Sequence, residues 1–259
     1  MSAYDFLAEY YDVFQKDLDP RAWASFTDGI IKKHLRAKGD GEDGKVLLCD
    51  LGCGTGSVTL ALTKMGYDTI GVDLSYPMLE KAREHAEEEN LSVLWIQQDI
   101  TALDLYGSVD VFTSFLDTVN HITSPSRLKK CFQKVACFLN PGGLFIFDAA
   151  TETHFEKTLG REFFYCIEDD FAVMWENEYL PGKKRNVASL TVFGEDADGK
   201  YERADEDIEE RFYTEEEIRD LAGSCGLEVA AVYGDLKKRK PNEKDERVFY
   251  CLRRPMKRK

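Results

Sequence analysis

The sequence predicts an α/β fold: a doubly wound, seven-stranded, mostly parallel sheet with an antiparallel β insertion after the fifth strand. Three observations predict it. Short apolar runs alternate with amphipathic helical stretches from Lys45 to about Ala150, a glycine-rich turn follows the first run, and aromatic-rich alternation replaces helical periodicity between Thr151 and Phe212.

Five strand candidates come first: 46–50, 69–73, 93–97, 109–114 and 144–148. Each is rich in β-branched or aromatic residues and mostly apolar on both faces, as a sheet covered by helices requires. Ser75 with Pro77 opens a helix on which Met78, Leu79, Ala82 and Ala86 recur at helical spacing. Ser124 and Pro125 repeat that device before Leu128, Cys131, Phe132, Val135 and Leu139, and Asn140-Pro141-Gly142-Gly143 is expected to stop the helix. In the insertion, strand candidates at 163–167, 171–179, 187–195 and 202–211 are punctuated by the hairpin signals Pro181-Gly182 and Asp198-Gly199. Thr214 with Glu217 makes a capping box, and strands at 227–233 and 247–252 complete the sheet.

With 259 residues, 43% hydrophobic and 32% charged, the chain has globular composition and buries a core without staples. Its formal charge of −14 disfavours nucleic acid, whose phosphates call for a basic surface. The basic run from Arg253 to Lys259 reads as a solvated tail. Seven cysteines with no C-x-x-C pair and no His spaced for zinc predict reduced thiols and no metal. No apolar run is long enough for a bilayer and the N-terminus lacks a signal-like apolar stretch, so no membrane and a cytoplasmic location are expected.

The strongest chemical signal is Asp50-Leu51-Gly52-Cys53-Gly54-Thr55-Gly56 where a strand turns into a helix. Glycines there permit a tight turn and a close backbone approach to a ligand. A dinucleotide fingerprint would put its third glycine at position 57, which is Ser57, and a phosphate loop would need a Gly-Lys-Ser/Thr ending. Asp73, ending the second strand, lies beside that turn in an open sheet and can accept from both hydroxyls of a ribose. Gln98-Asp99-Ile100 follows the third strand, where Asp99 either binds an exocyclic adenine amine or caps the next turn.

These segments, with Val72-Asp73-Leu74-Ser75-x-x-Met78-Leu79 and Leu139-Asn140-Pro141-Gly142-Gly143, resemble the class I S-adenosylmethionine-dependent methyltransferases over about 100 residues. The opening Phe6-Leu7-Ala8-x-x-Tyr11-Asp12 with Trp23, and Phe115-Leu116-Asp117-x-x-Asn120, are similar to bacterial small-molecule-type methyltransferases of unassigned substrate. The resemblance implies a Rossmann-like fold, an enzyme, S-adenosyl-L-methionine as cofactor and a small-molecule acceptor. It implies cofactor contacts from Gly52, Cys53 and Gly54, with Asp50 ordering the loop. It further implies ribose on Asp73, adenine near Leu74, Met78, Asp99 and Ile100, and Leu116 under the methionine chain. Tyr11 and Trp23 either close over the cofactor or pack as ordinary helix residues. Residues 1–150 and 212–259 then form the cofactor domain with a helical N-terminal cover, and 151–211 an inserted lid or substrate subdomain.

Methyl transfer is an in-line displacement that asks the protein to align the acceptor and exclude water. An acceptor that must lose a proton makes His121 the candidate base and Asp117 the runner-up, because both follow the fourth strand toward the methyl group. The alternative for His121 is a helix-entry residue bonded locally. Trp175, Arg211 and Tyr213 either reach the acceptor or pack within the insertion. Two other functions stay open at this point: a non-catalytic S-adenosylmethionine-binding regulator and, against the glycine spacing, a nicotinamide-dependent oxidoreductase. A nucleic-acid methyltransferase is disfavoured, since no Asp/Asn-Pro-Pro-Tyr/Phe segment follows the fourth strand.

Overall fold

The computed structural model describes residues 8, 10–37, 44–160, 162–195 and 198–256. Phe6 and Leu7 of the opening motif, and Lys257, Arg258 and Lys259 of the basic run, lie outside the described residues. Two helices, α1 (Tyr11–Phe14) and α2 (Pro20–His34), precede the sheet. The alternating unit is β1 (Leu47–Leu51), α3 (Ser57–Lys64), β2 (Asp68–Asp73), α4 (Tyr76–Glu88) and β3 (Leu94–Gln97). It continues through β4 (Val109–Ser114), α5 (Thr118–His121), α6 (Pro125–Phe138) and β5 (Leu139–Ala150). The insertion holds β6 (Phe163–Ile167), β7 (Phe171–Leu180), β8 (Arg185–Glu195) and β9 (Tyr201–Arg211), and α7 (Glu215–Ser224), β10 (Glu228–Gly234) and β11 (Arg247–Arg253) follow.

The seven-stranded sheet runs β10-β11-β5-β4-β1-β2-β3, parallel from β5 to β3, with β11 antiparallel to both its neighbours. The chain moves outward from β1 to β3 and then crosses back to β4, so the winding reverses between β1 and β4. Open sheets bind ligands beyond the carboxyl ends of the strands at such a point. All six residues of β4 are buried because helices cover both faces. On one side Phe132 and Val135 of α6 pack on Phe145 and Phe147; on the other Trp23, Phe26 and Ile30 of α2 pack on Leu48, Ile146 and Phe249.

Local chemistry sets most boundaries. The Asp19 carboxylate accepts from the Arg21 and Ala22 N–H groups to start α2, and the Ser75 hydroxyl accepts from Met78 N–H to start α4. Ser124 departs from expectation: its hydroxyl meets that of Ser126 at 2.9 Å and caps nothing. Asn140-Pro141-Gly142-Gly143 ends the helix but also begins β5, which therefore starts earlier than the apolar run suggests. The cause is a partner from the far end of the chain, since Gly142 N–H donates to Arg254 C=O and Arg254 N–H to Gly143 C=O. A π-helical turn over His154–Leu159 leads into the insertion.

The insertion forms its own antiparallel sheet, β6-β7-β8-β9, and is fastened to the main body at identifiable points. Tyr10 stacks on Phe171 with centroids 4.4 Å apart. Asn120 is fully buried; its amide nitrogen donates to Arg211 C=O at 2.9 Å and its amide oxygen accepts from Ala150 N–H at 3.0 Å. One side chain thus joins α5, the end of β5 and the end of β9. Replacing Asn120 by Ala leaves buried backbone groups unpaired and is expected to lower unfolding free energy by about 2–3 kcal/mol in a urea titration.

The Thr214–Glu217 capping box forms as the spacing predicts. Burial opposes ionisation of Glu217, but the Thr214 N–H and the Arg211 and Lys184 cations outweigh it and hold the carboxyl at about 2 against an ordinary 4.5. A depressed carboxyl stabilises the fold fully above the unfolded value and loses that contribution as pH falls toward the folded one. Glu217→Gln is therefore expected to flatten the pH dependence of stability between 4.5 and about 2 in denaturation series at stepped pH.

Candidate functional site

A cavity of about 290 Å³ opens at the carboxyl ends of β1, β2 and β4, where the winding reverses. Its floor is the glycine turn after β1. Gly52, Gly54 and Gly56 take φ of +71°, +53° and +81°, a region that L side chains avoid. Two of them also lack room: a Cβ on Gly52 would stand 2.4 Å from the Thr118 methyl, and one on Gly56 would stand 2.7 Å from the Trp95 ring.

Asp73 ties this turn to the next helix. Its Oδ2 accepts from Gly54 N–H at 2.8 Å and its Oδ1 from Ser75 N–H at 2.9 Å. Burial raises its pKa, and the Ser75 and Gly54 N–H groups act in the opposite sense. Each oxygen keeps acceptor capacity toward the cavity. Asp50 is buried one strand over and accepts from the Thr59 hydroxyl at 2.6 Å and the Thr113 hydroxyl at 2.7 Å, so it braces β1 against α3 and β4. It does not line the cavity.

The far wall carries Leu74, Met78, Asp99 and Ile100. One Asp99 oxygen accepts from Thr101 N–H at 2.8 Å and the other from Arg127 at 2.9 Å. Burial works against ionisation there, yet those partners prevail and hold the carboxyl below its ordinary range. Turn capping and cavity lining thus coexist in Asp99. Gln98 closes the same loop on Asp104 with both ends of its amide. Tyr11 lines the cavity above Gly54, and its neighbour Asp12 accepts from the Thr55 hydroxyl at 2.7 Å and faces His85 Nε2 at 3.3 Å. Burial, with Asp117 and Asp73 adding to it, pushes the Tyr11 phenol up to about 12.

The turn after β4 is strained. Leu116 and Asp117 both take positive φ, +57° and +65°. Arg247 on β11 holds Asp117 through two contacts of 2.7 Å, contacts Asp148 with the same guanidinium, and lies over the Trp23 ring at 5.6 Å. Despite burial, Arg247 keeps Asp117 low, while burial pushes Asp148 up to about 6. Leu116 thereby faces the cavity, together with Phe115, Thr118 and His121.

The structure brings together Tyr11, Gly52, Cys53, Gly54, Asp73, Leu74, Met78, Asp99, Ile100, Leu116 and His121 around one cavity. It leaves out five others besides Asp50. Trp23 packs edge-on against Phe115 and Phe249 behind the wall, because its helix turns that face to the core. Asp117 is no free base, being held by Arg247 in a two-point pair. Trp175 stacks on Phe164 inside the insertion. Arg211 pairs with Glu217 at 2.7 Å and lies over the Tyr213 ring, whose hydroxyl donates to Ile122 C=O. Sequence reasoning missed Arg127 and Arg247, whose places depend on segments distant in the chain, and Thr118, which the Thr-Val-Asn run after β4 could have signalled.

These residues fit an adenosyl sulfonium. The kinked glycines Gly52 and Gly54 bring side-chain-free backbone to the cavity wall, Asp73 has capacity for two hydroxyls, and Leu74, Met78 and Ile100 offer apolar surface to a base ring. Comparison with known proteins agrees. A methyltransferase-domain family profile matches residues 48–143. A protein of Geobacillus sp. (strain WCH70), provisionally named a methyltransferase, is 28% identical over 97% of this chain and 99% of its own. The crystal structure of an S-adenosylmethionine-dependent methyltransferase from Clostridium acetobutylicum superposes with a TM-score of 0.82 at 28% identity, covering 98% of this chain and 100% of that one.

The chain is a class I S-adenosylmethionine-dependent methyltransferase. Its cofactor is S-adenosylmethionine, and the nicotinamide alternative falls away. The fold also matches S-adenosylmethionine-bound CalS10, an amino pentose methyltransferase from Micromonospora echinaspora, with a TM-score of 0.69, 18% identity and coverage of 94% and 96%. Among the described residues no helix is long and apolar enough to cross a membrane, and no group of three His, Cys, Asp or Glu side chains could hold a metal.

Removing the Asp73 carboxylate deletes the tie to Gly54 and the acceptor for ribose. Asp73→Ala is expected to weaken S-adenosylmethionine binding by about ten- to a hundredfold in titration calorimetry. Trp23→Phe in the same assay is expected to stay within about threefold of wild type, since the ring packs behind the wall and mainly supports stability.

Proposed function

We propose that this methyltransferase acts in the cytoplasm on a small-molecule acceptor, cationic or neutral, and that His121 takes the proton such an acceptor must lose. The observation that carries the reading is the place of His121 on the same cavity as Gly52, Gly54 and Asp73, at the end reached from β4. S-adenosylmethionine supplies a methyl group on a positively charged sulfur that becomes neutral on transfer. Leu116 and Tyr11 shield the reacting end from water, and the 151–211 insertion stands behind His121 through Glu210.

Charge supports the acceptor class. The formal charge is −14, and both arginines beside the cavity are neutralised, Arg127 by Asp99 and Arg247 by Asp117 and Asp148. An anionic acceptor would find no uncommitted cation among these groups, and the surrounding field would repel it. The amino sugar of the Micromonospora enzyme is an acceptor of the favoured kind.

The test supplies S-adenosylmethionine labelled in the methyl group to a panel of small amines, phenols, carboxylates and a polyphosphate, with mass spectrometric detection of product. Transfer to amines or phenols is expected. Preference for the carboxylates or the polyanion would overturn the charge argument, and binding of the cofactor without transfer to any acceptor would favour a regulatory role.

A further inference from the structure

Along β9 the side chains alternate: Arg203, Asp205, Asp207 and Glu209 face solvent, while Ala204, Glu206, Ile208 and Glu210 face the body of the protein. Glu210 therefore carries a carboxylate onto a buried face, with 13% of its side chain exposed. Burying an unpaired carboxylate is costly, so its partners are informative. Asn186 stands opposite it on β8 and helps to offset that cost. Among the described residues the basic side chain within 4 Å is His121, whose Nε2 lies 3.8 Å from Oε1. The His121 ring lines the cavity and Glu210 does not, so the carboxylate stands behind the imidazole as seen from the cofactor.

We infer that Glu210, on the inserted sheet, is the positioning residue for His121, fixing the imidazole and favouring its protonated form as an amine or hydroxyl acceptor is methylated. The proposal rests on the reading of His121 as the acceptor-side base. In the step, a lone pair of the acceptor atom forms the bond to the methyl carbon and the carbon–sulfur bond breaks with its electron pair passing to sulfur. The acceptor's proton goes to the His121 nitrogen turned away from Glu210, and the carboxylate stabilises the imidazolium that results. The Nε2–H tautomer that a carboxylate at Nε2 selects leaves the other nitrogen with the lone pair this requires.

Other charges reach the ring as well. Asp117 on its own turn is neutralised by Arg247 of β11 and Asp73 comes from β2, while His154 of the π-helical turn acts on Glu210 and Asp117. His154 is itself engaged with Glu246 at 3.1 Å. Glu210 Oε1 lies 3.8 Å from the ring nitrogen. This gives the insertion a part in the chemistry of the reaction as well as in enclosing the site.

The test begins with the full chain free of ligand. Ring resonances of the four histidines are followed by NMR across pH in wild type, Glu210→Gln and Glu210→Asp, with His121→Asn used for assignment. Loss of the carboxylate is expected to move the His121 midpoint to lower pH and to erode its Nε2–H tautomer signature, with a smaller change in Glu210→Asp. His34 and His85 should stay put. With S-adenosylmethionine and the best acceptor of the amine and phenol panel, the acidic limb of kcat/KM should move the same way in Glu210→Gln and its plateau should drop about tenfold or more.

A His121 titration unmoved in both Glu210 variants overturns the dyad, even if His121→Asn is inactive, in which case His121 remains the base without it. A shifted titration together with full turnover in His121→Asn across pH overturns the base reading, and the proposal with it. Should Glu210→Gln fail to fold, Glu210→Asp carries the same measurements.

Discussion

Asp73 is the constraint on which the site depends, because its two oxygens are divided between the glycine turn and the start of α4. Glycines adopt the positive φ that the turn requires, but they bring conformational freedom that something must remove. Gly54 is fixed by Asp73, while Gly52 and Cys53 donate from their backbone to Val72 C=O on the same strand. The N–H groups of three successive turn residues, Gly52, Cys53 and Gly54, are therefore all held by the tip of β2. The dependence runs both ways. Burial makes the Asp73 carboxylate costly to ionise, and the N–H groups of Ser75 and Gly54 offset that cost.

A second constraint comes from the far end of the sequence. Leu116 and Asp117 hold left-handed backbone at successive positions, each a departure of about 1–3 kcal/mol that the surroundings must offset. Arg247, 130 residues away, supplies the hold by gripping Asp117 while bridging to Asp148. This explains why the antiparallel β11 sits beside β5 and not at an indifferent edge. The strand carries the guanidinium that holds the turn in which Leu116 faces the cavity and from which the short helix bearing His121 starts. It also explains why Asp117 cannot serve as a base, since a carboxylate kept low by a guanidinium has little affinity for a proton.

What could be read from the sequence follows from the range of each interaction. The parallel strands were legible because burial on both faces writes a mostly apolar run, as in Leu144 to Phe147 of β5. The glycine turn was legible because its spacing excludes rival loops within a few residues, and Asp73 because a strand terminus fixes where its last side chain lies. Local caps were legible at Ser75 and Thr214 but failed at Ser124, where a second hydroxyl two residues on competes for the first. Trp23 could be read as buried from its amphipathic helix, but not which surface it would meet. Arg211 and Tyr213 could be read as reaching the acceptor or as packing; each finds a partner nearby and does not line the cavity. Arg247 and Glu210 left no signal, since a lone arginine or one acid in a run of acids acquires meaning only when distant strands meet.

The ties of the insertion bear on how the site can close. Asn120 spans the ends of β5 and β9 through fully buried bonds, Tyr213 bonds to Ile122, and Arg211 is fixed by Glu217. A hinged movement of the whole sheet would break these at once, each buried polar group left unpaired costing about 1–3 kcal/mol. Such a movement would also separate Glu210 from His121. The end of the sheet nearest the cavity is thus argued to be a fixed wall, and the opposing element α1 is held differently. Asp12 joins it to Thr55 and His85 through partly exposed contacts, which exchange with water at smaller cost. Loosening α1 beyond the Tyr10–Phe171 stack therefore breaks fewer buried polar bonds than moving the inserted sheet, and it leaves the contact of Glu210 with His121 in place.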